Sequence, residues 1–293
     1  MKWKTDWGLQ GRMFLTMFLL FAVYLVFVVI LGVYFDNILL MVVLMGAFSL
    51  GQYFFSDRLT LWSMGAHEVS ESEYPQLHAT ISRLSQQADL PKPKVAVADS
   101  RVPNAFATGR SQKNAAVCVT TGIVRTLDQD ELEGVLAHEL AHVKNRDMMV
   151  MTIASFLSTI AFIVVRWGWL FGGGGRNRDS NQAPVFVAIL VSLVVWVVSF
   201  LLIRALSRYR EYAADRGGAT ISGKPAALAS ALLKISGQMD RVPEEDMREQ
   251  ANMNAFFIIP IKGGVISQLF STHPSTEKRV ERLRELERQM ETA

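Results

Sequence analysis

Only one cysteine, Cys118, occurs in the 293 residues. No intramolecular disulfide can form, and nothing in the thiol content points to an oxidising compartment. Cys118 lies in AAVCVTT, a strand-like run, and reads as a small buried apolar residue. Charge is scarce too. Asp, Glu, Lys and Arg make up 19% of the chain, while half of it is hydrophobic, too apolar for an ordinary soluble protein of this length. No basic run is interleaved with aromatics on a polar background, so the net charge of +3 does not point to nucleic acid. The consecutive glycines at 172–175 lack the preceding strand and the lysine of a phosphate-binding loop, and read as a tether.

What the sequence has instead is four apolar runs. Met13–Phe35 carries no charge and covers roughly 34 Å at about 1.5 Å per residue, enough to cross a hydrocarbon core. Ile38–Phe55 follows after Asp36 and Asn37, so the two read as a transmembrane hairpin; a cleaved signal peptide would have a much shorter apolar core. Met148–Phe171 and Val185–Ile203 form a second hairpin around the Gly-rich tether, with Arg166 snorkelling beside Trp167 and Trp169. Basic residues concentrate on one side: Lys2, Lys4, Arg12, Arg58, Lys144, Arg146, Arg204, Arg208 and Arg210, against Arg176 and Arg178 in the tether. The positive-inside rule then puts both termini in the cytosol.

The polar stretches carry their own periodicities. Leu77, Ile81, Leu84 and Ala88 share a helical face, with Pro75 in the first turn. Lys94–Asp99, Asn104–Gly109 and Ala115–Thr121 read as strands, the last two around the turn RSQKN. Asp128 and Glu131 fit a capping box for a helix with Leu132, Leu136, Leu140 and Val143 in one stripe. The helix after the fourth run is expected to stop at Gly217 and Gly218. Pro225–Gln238 and Pro274–Met290 are two further amphipathic helices, and EKRVERLRELER is read as the solvated face of the last.

His138 and His142 lie four residues apart in HELAH, on a helical face away from the leucines. Two imidazoles so placed can hold one metal ion, and nitrogen ligands at this spacing favour zinc. Glu139 sits about 100° around the axis from His138, off the metal but near it, where a general base for water activation belongs in H-E-x-x-H metallopeptidases. A catalytic zinc needs a third protein ligand and an open position. Glu211 in REYAAD is the candidate, one turn before Asp215 on a helix leaving the fourth run, with Asp215 placed to orient an imidazole. A pair of exposed acids bridged to Arg208 or Arg216 is the alternative.

LAHELAHVKNRD, REYAAD and STHPSTEKR together resemble the HtpX-type membrane metallopeptidases, relatives of the CaaX prenyl endopeptidases, from about Tyr74 to the carboxyl terminus. The resemblance implies one zinc ion per chain held by His138, His142 and Glu211, with Glu139 as general base and Asp215 supporting a histidine. It also implies cleavage of misfolded or damaged membrane proteins at the cytoplasmic face of the inner membrane. Asn104, Ala105, Phe106 and Ala107 in NAFATG look like that family's edge strand, which a substrate segment can join by strand addition. His273 in STHPS is a candidate for stabilising the oxyanion or touching substrate; His67 and His78 are taken as structural.

The expected fold is a mainly α membrane protein with four transmembrane helices and a cytosolic α+β zincin-like catalytic domain containing a small β-sheet. Its expected parts are a transmembrane hairpin (1–55), a catalytic region with the sheet and the HELAH helix (56–147), a second hairpin (148–203) and a cytosolic helical part carrying the third ligand (204–293). Expected partners are protein substrates and the lipid bilayer, without nucleic acid. The competing function is a non-catalytic membrane scaffold with a closed, structural zinc site, to which Cys118 or His273 would add a fourth ligand. A transporter using Arg166 is disfavoured by the lack of polar residues through the spans.

Overall fold

The structure is a computed structural model that describes residues 7–34, isolated positions between 43 and 58, and residues 60–172, 183–239 and 273–292. Its described residues divide into two compact units, one drawn from 7–53 and 150–206, the other from 54–149 and 207–292.

The first unit is helical. Helix α1 spans Trp7–Tyr34, and its core residues Leu20, Tyr24 and Phe27 pack with Ala154, Ala161, Val195 and Leu206. The Tyr24 hydroxyl donates to the Ala154 carbonyl at 2.6 Å, so the polar end of this ring is satisfied inside an apolar cluster. Elsewhere on α1, Phe14, Phe18, Phe21 and Leu25 remain more than half exposed. A helix apolar all round is not built to face water. Trp7–Phe27 and Ile189–Ser222 are long and apolar enough to cross a membrane. The third apolar run is helical, within Asp147–Gly172. Most of the second run (38–55) and the side chain of Arg166 fall outside the described residues.

The second unit is built on a four-stranded mixed sheet. Its strands are β1 (Ala66–Glu68), β2 (Lys94–Ala98), β3 (Ala105–Thr108) and β4 (Ala116–Thr120), in the order β1-β2-β4-β3. β2 and β4 run parallel, while β1 and β3 lie antiparallel on the outside, with Ala105 opposite Val119 and Ala107 opposite Val117. The period of two sorts the side chains by face. Val95, Val97, Val117 and Val119 enter the main core, whereas Ala96, Ala98, Cys118 and Phe106 form a smaller cluster on the other face with Leu61, Met64 and Ala66. All three expected strands are present; β1 is an addition.

Helices cover the main face. α2 (Pro75–Gln87) contributes Leu77, Ile81 and Leu84. A short α3 (Thr121–Thr126), capped by the Thr120 hydroxyl, follows β4. α4 (Gln129–Lys144) opens with the Asp128–Glu131 capping box and buries Leu136 and Leu140. α5 spans Asp147–Gly172, α6 Ala183–Ser222, α7 Pro225–Met239 and α8 Thr276–Glu291.

Two expectations need correction. α6 does not stop at Gly217–Gly218 but continues to Ser222, where Gly223 at φ +71° ends it. Gly218 serves close approach instead: a Cβ there would meet the His138 backbone nitrogen at 2.7 Å, so glycine lets α6 cross the metal-binding helix almost backbone to backbone. The run EKRVERLRELER is not wholly solvated either, because Arg279 within it is 1% exposed and turns into the site.

Candidate metal centre

α4 presents His138 and His142 on one face because residues four apart stack along a helix. The same helix fixes itself in the core through Leu136 and Leu140, and its N-terminus through buried Glu131 and Glu133. Glu133 pairs with Arg83 of α2 at 2.8 Å and Glu131 with Lys234 of α7 at 2.6 Å. The imidazoles are therefore carried on a rod held at several points.

α6 brings Glu211 to them. One donor atom from each of His138, His142 and Glu211 lies within 4.8 Å of the others. His138 Nε2 and His142 Nε2 stand 3.1 Å apart, and the Glu211 carboxylate oxygens lie 3.7 and 3.5 Å from them. Ligands about 2 Å from a tetrahedral zinc are separated by roughly 3.3 Å, so the spacing fits one such ion. Both rings are held from behind. Asp147 Oδ2 meets His142 Nδ1 at 2.6 Å, and Asp215 Oδ1 lies 3.0 Å from His138 Nδ1, close but without hydrogen-bond alignment. With protons on the Nδ1 atoms, the two Nε2 lone pairs face each other and the carboxylate, an arrangement that calls for a cation.

Charge points the same way. Glu139, Asp147, Glu211 and Asp215 are all buried here, against the buried guanidiniums of Arg210 and Arg279. With both imidazoles neutral, four carboxylates against two cations leave two negative charges in a dry region, which a divalent ion would neutralise. The donor set and the charge balance therefore fit zinc.

Around this centre lie the other expected site residues. Glu139 is 5% exposed, and its Oε2 accepts from the Ala107 backbone N–H of β3 at 2.8 Å. Burial lifts its carboxyl above the ordinary carboxylate range, against the opposing pull of the two imidazoles and the Ala107 N–H. The edge strand thus touches the residue next to the donor set. Asn104 is fully buried and paired into β4: its N–H donates to Thr120 Oγ1, and its carbonyl accepts from Thr120 N–H, both at 2.9 Å. Ala105 and Phe106 are buried, while Ala107 is partly exposed. His273 Nδ1 lies 3.2 Å from Glu211 Oε2. Cys118 stays apart in the smaller cluster, its thiol pushed up to about 12 by burial.

Three residues join the site to which the sequence assigns no part in it. Arg279 donates from Nε and Nη2 to the two Asp215 oxygens at 2.9 and 2.6 Å, and approaches Glu211 Oε2 and His138 Nε2 at 3.4 Å each. Asp147 and Arg210 form an ion pair at 3.0 Å. The sequence carries no signal for these roles: HELAH and REYAAD hold three acids and one arginine, which a divalent ion already balances.

A small mixed sheet packed on a helix that bears H-E-x-x-H, with a carboxylate arriving from a later helix, is the layout of a metal-dependent peptidase. Comparison with known proteins gives the particular lineage: the pattern of peptidase family M48 matches residues 71–287, and the chain belongs to that family. It is 58% identical over 290 residues to "Protease HtpX homolog 2" of Methanosarcina mazei, covering 99% of each. It is 56% identical over 296 residues to "Protease HtpX homolog" of Moorella thermoacetica, covering 98% of this chain and 97% of the relative. Among solved structures, S. mikatae Ste24p superposes with a TM-score of 0.55 at 18% identity. That match covers 89% of this chain but only 62% of Ste24p, and at this identity it speaks for the fold alone.

Proposed function

We propose that this metalloprotease is anchored in the inner membrane by four spans, with both termini and the active site cytoplasmic, and cleaves misfolded or damaged membrane proteins. The observation that carries the reading is the convergence of two imidazoles and a carboxylate beside a buried glutamate that also contacts an edge strand. His138, His142 and Glu211 hold one zinc ion. When bound, zinc acidifies water and polarises a peptide carbonyl. Glu139 takes the proton and returns it to the leaving amine, a role suited to a carboxyl lifted by burial. Asp215 backs the His138 ring, itself held by two nitrogens of Arg279, Nε and Nη2. His273, whose Nδ1 lies 3.2 Å from Glu211 Oε2, is assigned to stabilising the oxyanion or touching substrate.

The substrate backbone adds to β3, which is an outer strand of the sheet. Because Asn104 is engaged with Thr120, the backbone groups turned away from β4 belong to Ala105 and Ala107, and of these the Ala107 N–H already donates to Glu139. An extended, unfolded segment can meet that edge where a folded one cannot, which suits damaged proteins as substrates. The basic residues flanking the apolar runs support the cytoplasmic orientation.

The test is metal analysis together with cleavage of an unfolded membrane protein, comparing wild type with Glu139→Gln. Equal zinc in both and cleavage only by wild type are expected, along with loss of any self-cleavage during purification. A Glu139→Gln variant that cleaves at the wild-type rate would sink the assignment.

A further inference from the structure

We infer that Asp147 and Arg210 act as a positioning pair that sets the orientation of His142 and its register against Glu211. The inference rests on the zinc reading above. Asp147 is 2% exposed and lies between the two chain segments that supply the donors. One of its oxygens contacts His142 Nδ1 at 2.6 Å, and the other lies 3.0 Å from Arg210 Nε, a buried ion pair without hydrogen-bond alignment. Arg210 is the residue immediately before Glu211. A short chain of contacts therefore runs from one donor ring, through a buried carboxylate, to the backbone neighbour of another donor.

The local backbone makes this contact possible. In an unbroken helix, residue 147 would lie about 140° around the axis from residue 142, facing away from it. The chain breaks instead. α4 ends at Lys144, Asn145 caps it, and Arg146 adopts φ +55° before α5 begins with Asp147. A non-glycine residue in the left-handed region is strained. Here that turn swings the Asp147 carboxylate back onto the His142 ring. Asp147 also sits in the first turn of α5, where the helix dipole favours a carboxylate.

A similar arrangement backs the other ring, with Asp215 behind His138 and Arg279 behind Asp215. Each imidazole thus has its own aspartate, and each aspartate its own arginine. The two pairs differ in what they join. Arg279 comes from α8, whereas Arg210 belongs to the same helix as Glu211. In the Asp215–Arg279 pair it is the aspartate that lies on the Glu211 helix and backs His138, whereas in the Asp147–Arg210 pair it is the arginine, which reaches His142 through Asp147. Partners behind metal-binding histidines commonly change metal affinity by 10–100-fold when removed.

The experiment measures zinc affinity of the full-length protein by competition with a chromogenic chelator, and records the visible spectrum of the Co²⁺-substituted protein. Asp147→Asn is expected to weaken zinc binding by about 10–100-fold and shift the Co²⁺ bands. Arg210→Met is expected to weaken it about tenfold, with Arg210→Lys restoring most of the loss. The double variant Asp147→Asn/Arg210→Met should bind no worse than Asp147→Asn alone, because Arg210 acts through Asp147. Should Asp147→Asn fail to fold, the Met and Lys variants at 210 still decide the matter. Wild-type affinity and spectrum in Arg210→Met, or fully multiplicative losses in the double variant, would overturn the pair. A wild-type protein that binds no zinc would overturn the metal reading itself, a distinct outcome.

Discussion

At the scale of single residues, the site is a set of buried charges that make sense only together. Glu139→Gln should lower peptide cleavage by about 10²–10⁴-fold, the usual worth of a general base, while leaving zinc content unchanged; turnover and metal analysis on one preparation check it. His142 gives the pH dependence. Burial opposes its protonation, but Asp147 and then Glu211 outweigh it and raise the ring to about 8. Below that value a proton must leave before the metal binds, so zinc affinity should fall about tenfold per pH unit from pH 8 down to pH 6. Above pH 8 this contribution disappears. A chelator titration at several pH values measures the slope, and a flat response would remove the point. His138, Glu139 and His142 are readable in the sequence because a spacing of four has one geometric meaning on a helix. Arg279 is not, because a guanidinium within a charged amphipathic run looks the same whether it faces water or a buried carboxylate. Asp147 is hidden by a backbone turn at Arg146 that no periodicity announces.

At the scale of elements, the close crossing of α4 and α6 places Glu211 opposite the histidines. Gly218→Ala would bring a Cβ within 2.7 Å of the His138 nitrogen and 2.8 Å of its Cα, both backbone atoms that cannot rotate aside. A loss of about 1–3 kcal/mol is expected, seen as a lower melting temperature together with weaker zinc binding. Gly217–Gly218 reads as a stop in the sequence because glycine ends helices and also permits contact between them, and composition alone does not separate the two uses. The edge strand offers a second test. Ala107→Pro removes the N–H that Glu139 accepts from, so cleavage should fall while zinc stays bound, as measured by turnover and metal content. The strands β2 to β4 and helix α4 are legible from alternation, apolar stripes and the capping box. β1 is not: its three residues, AHE, are too few to show a period.

At the scale of the whole molecule, the described residues combine long apolar helices with a mixed-sheet unit that holds the charge cluster. Removing the metal leaves buried carboxylates in excess of arginines, so chelation should lower the melting temperature by several degrees and restored zinc should reverse it; calorimetry of the full-length protein checks this. The broad architecture is legible because hydropathy and helix length are bound together by the thickness of a bilayer. The joining of distant acids and arginines is not, because it depends on tertiary contacts across more than sixty positions of chain, as between Asp147 and Arg210. Cys118 has a practical consequence. A thiol fully enclosed in the smaller cluster and resting near 12 is almost never thiolate at neutral pH. Maleimide chemistry will pass it by, so single engineered cysteines can map sidedness without altering the native one. With the proposed topology, a reporter at Glu291→Cys would be labelled only by reagents that enter the cell, and one at Ser180→Cys also by those that stay outside.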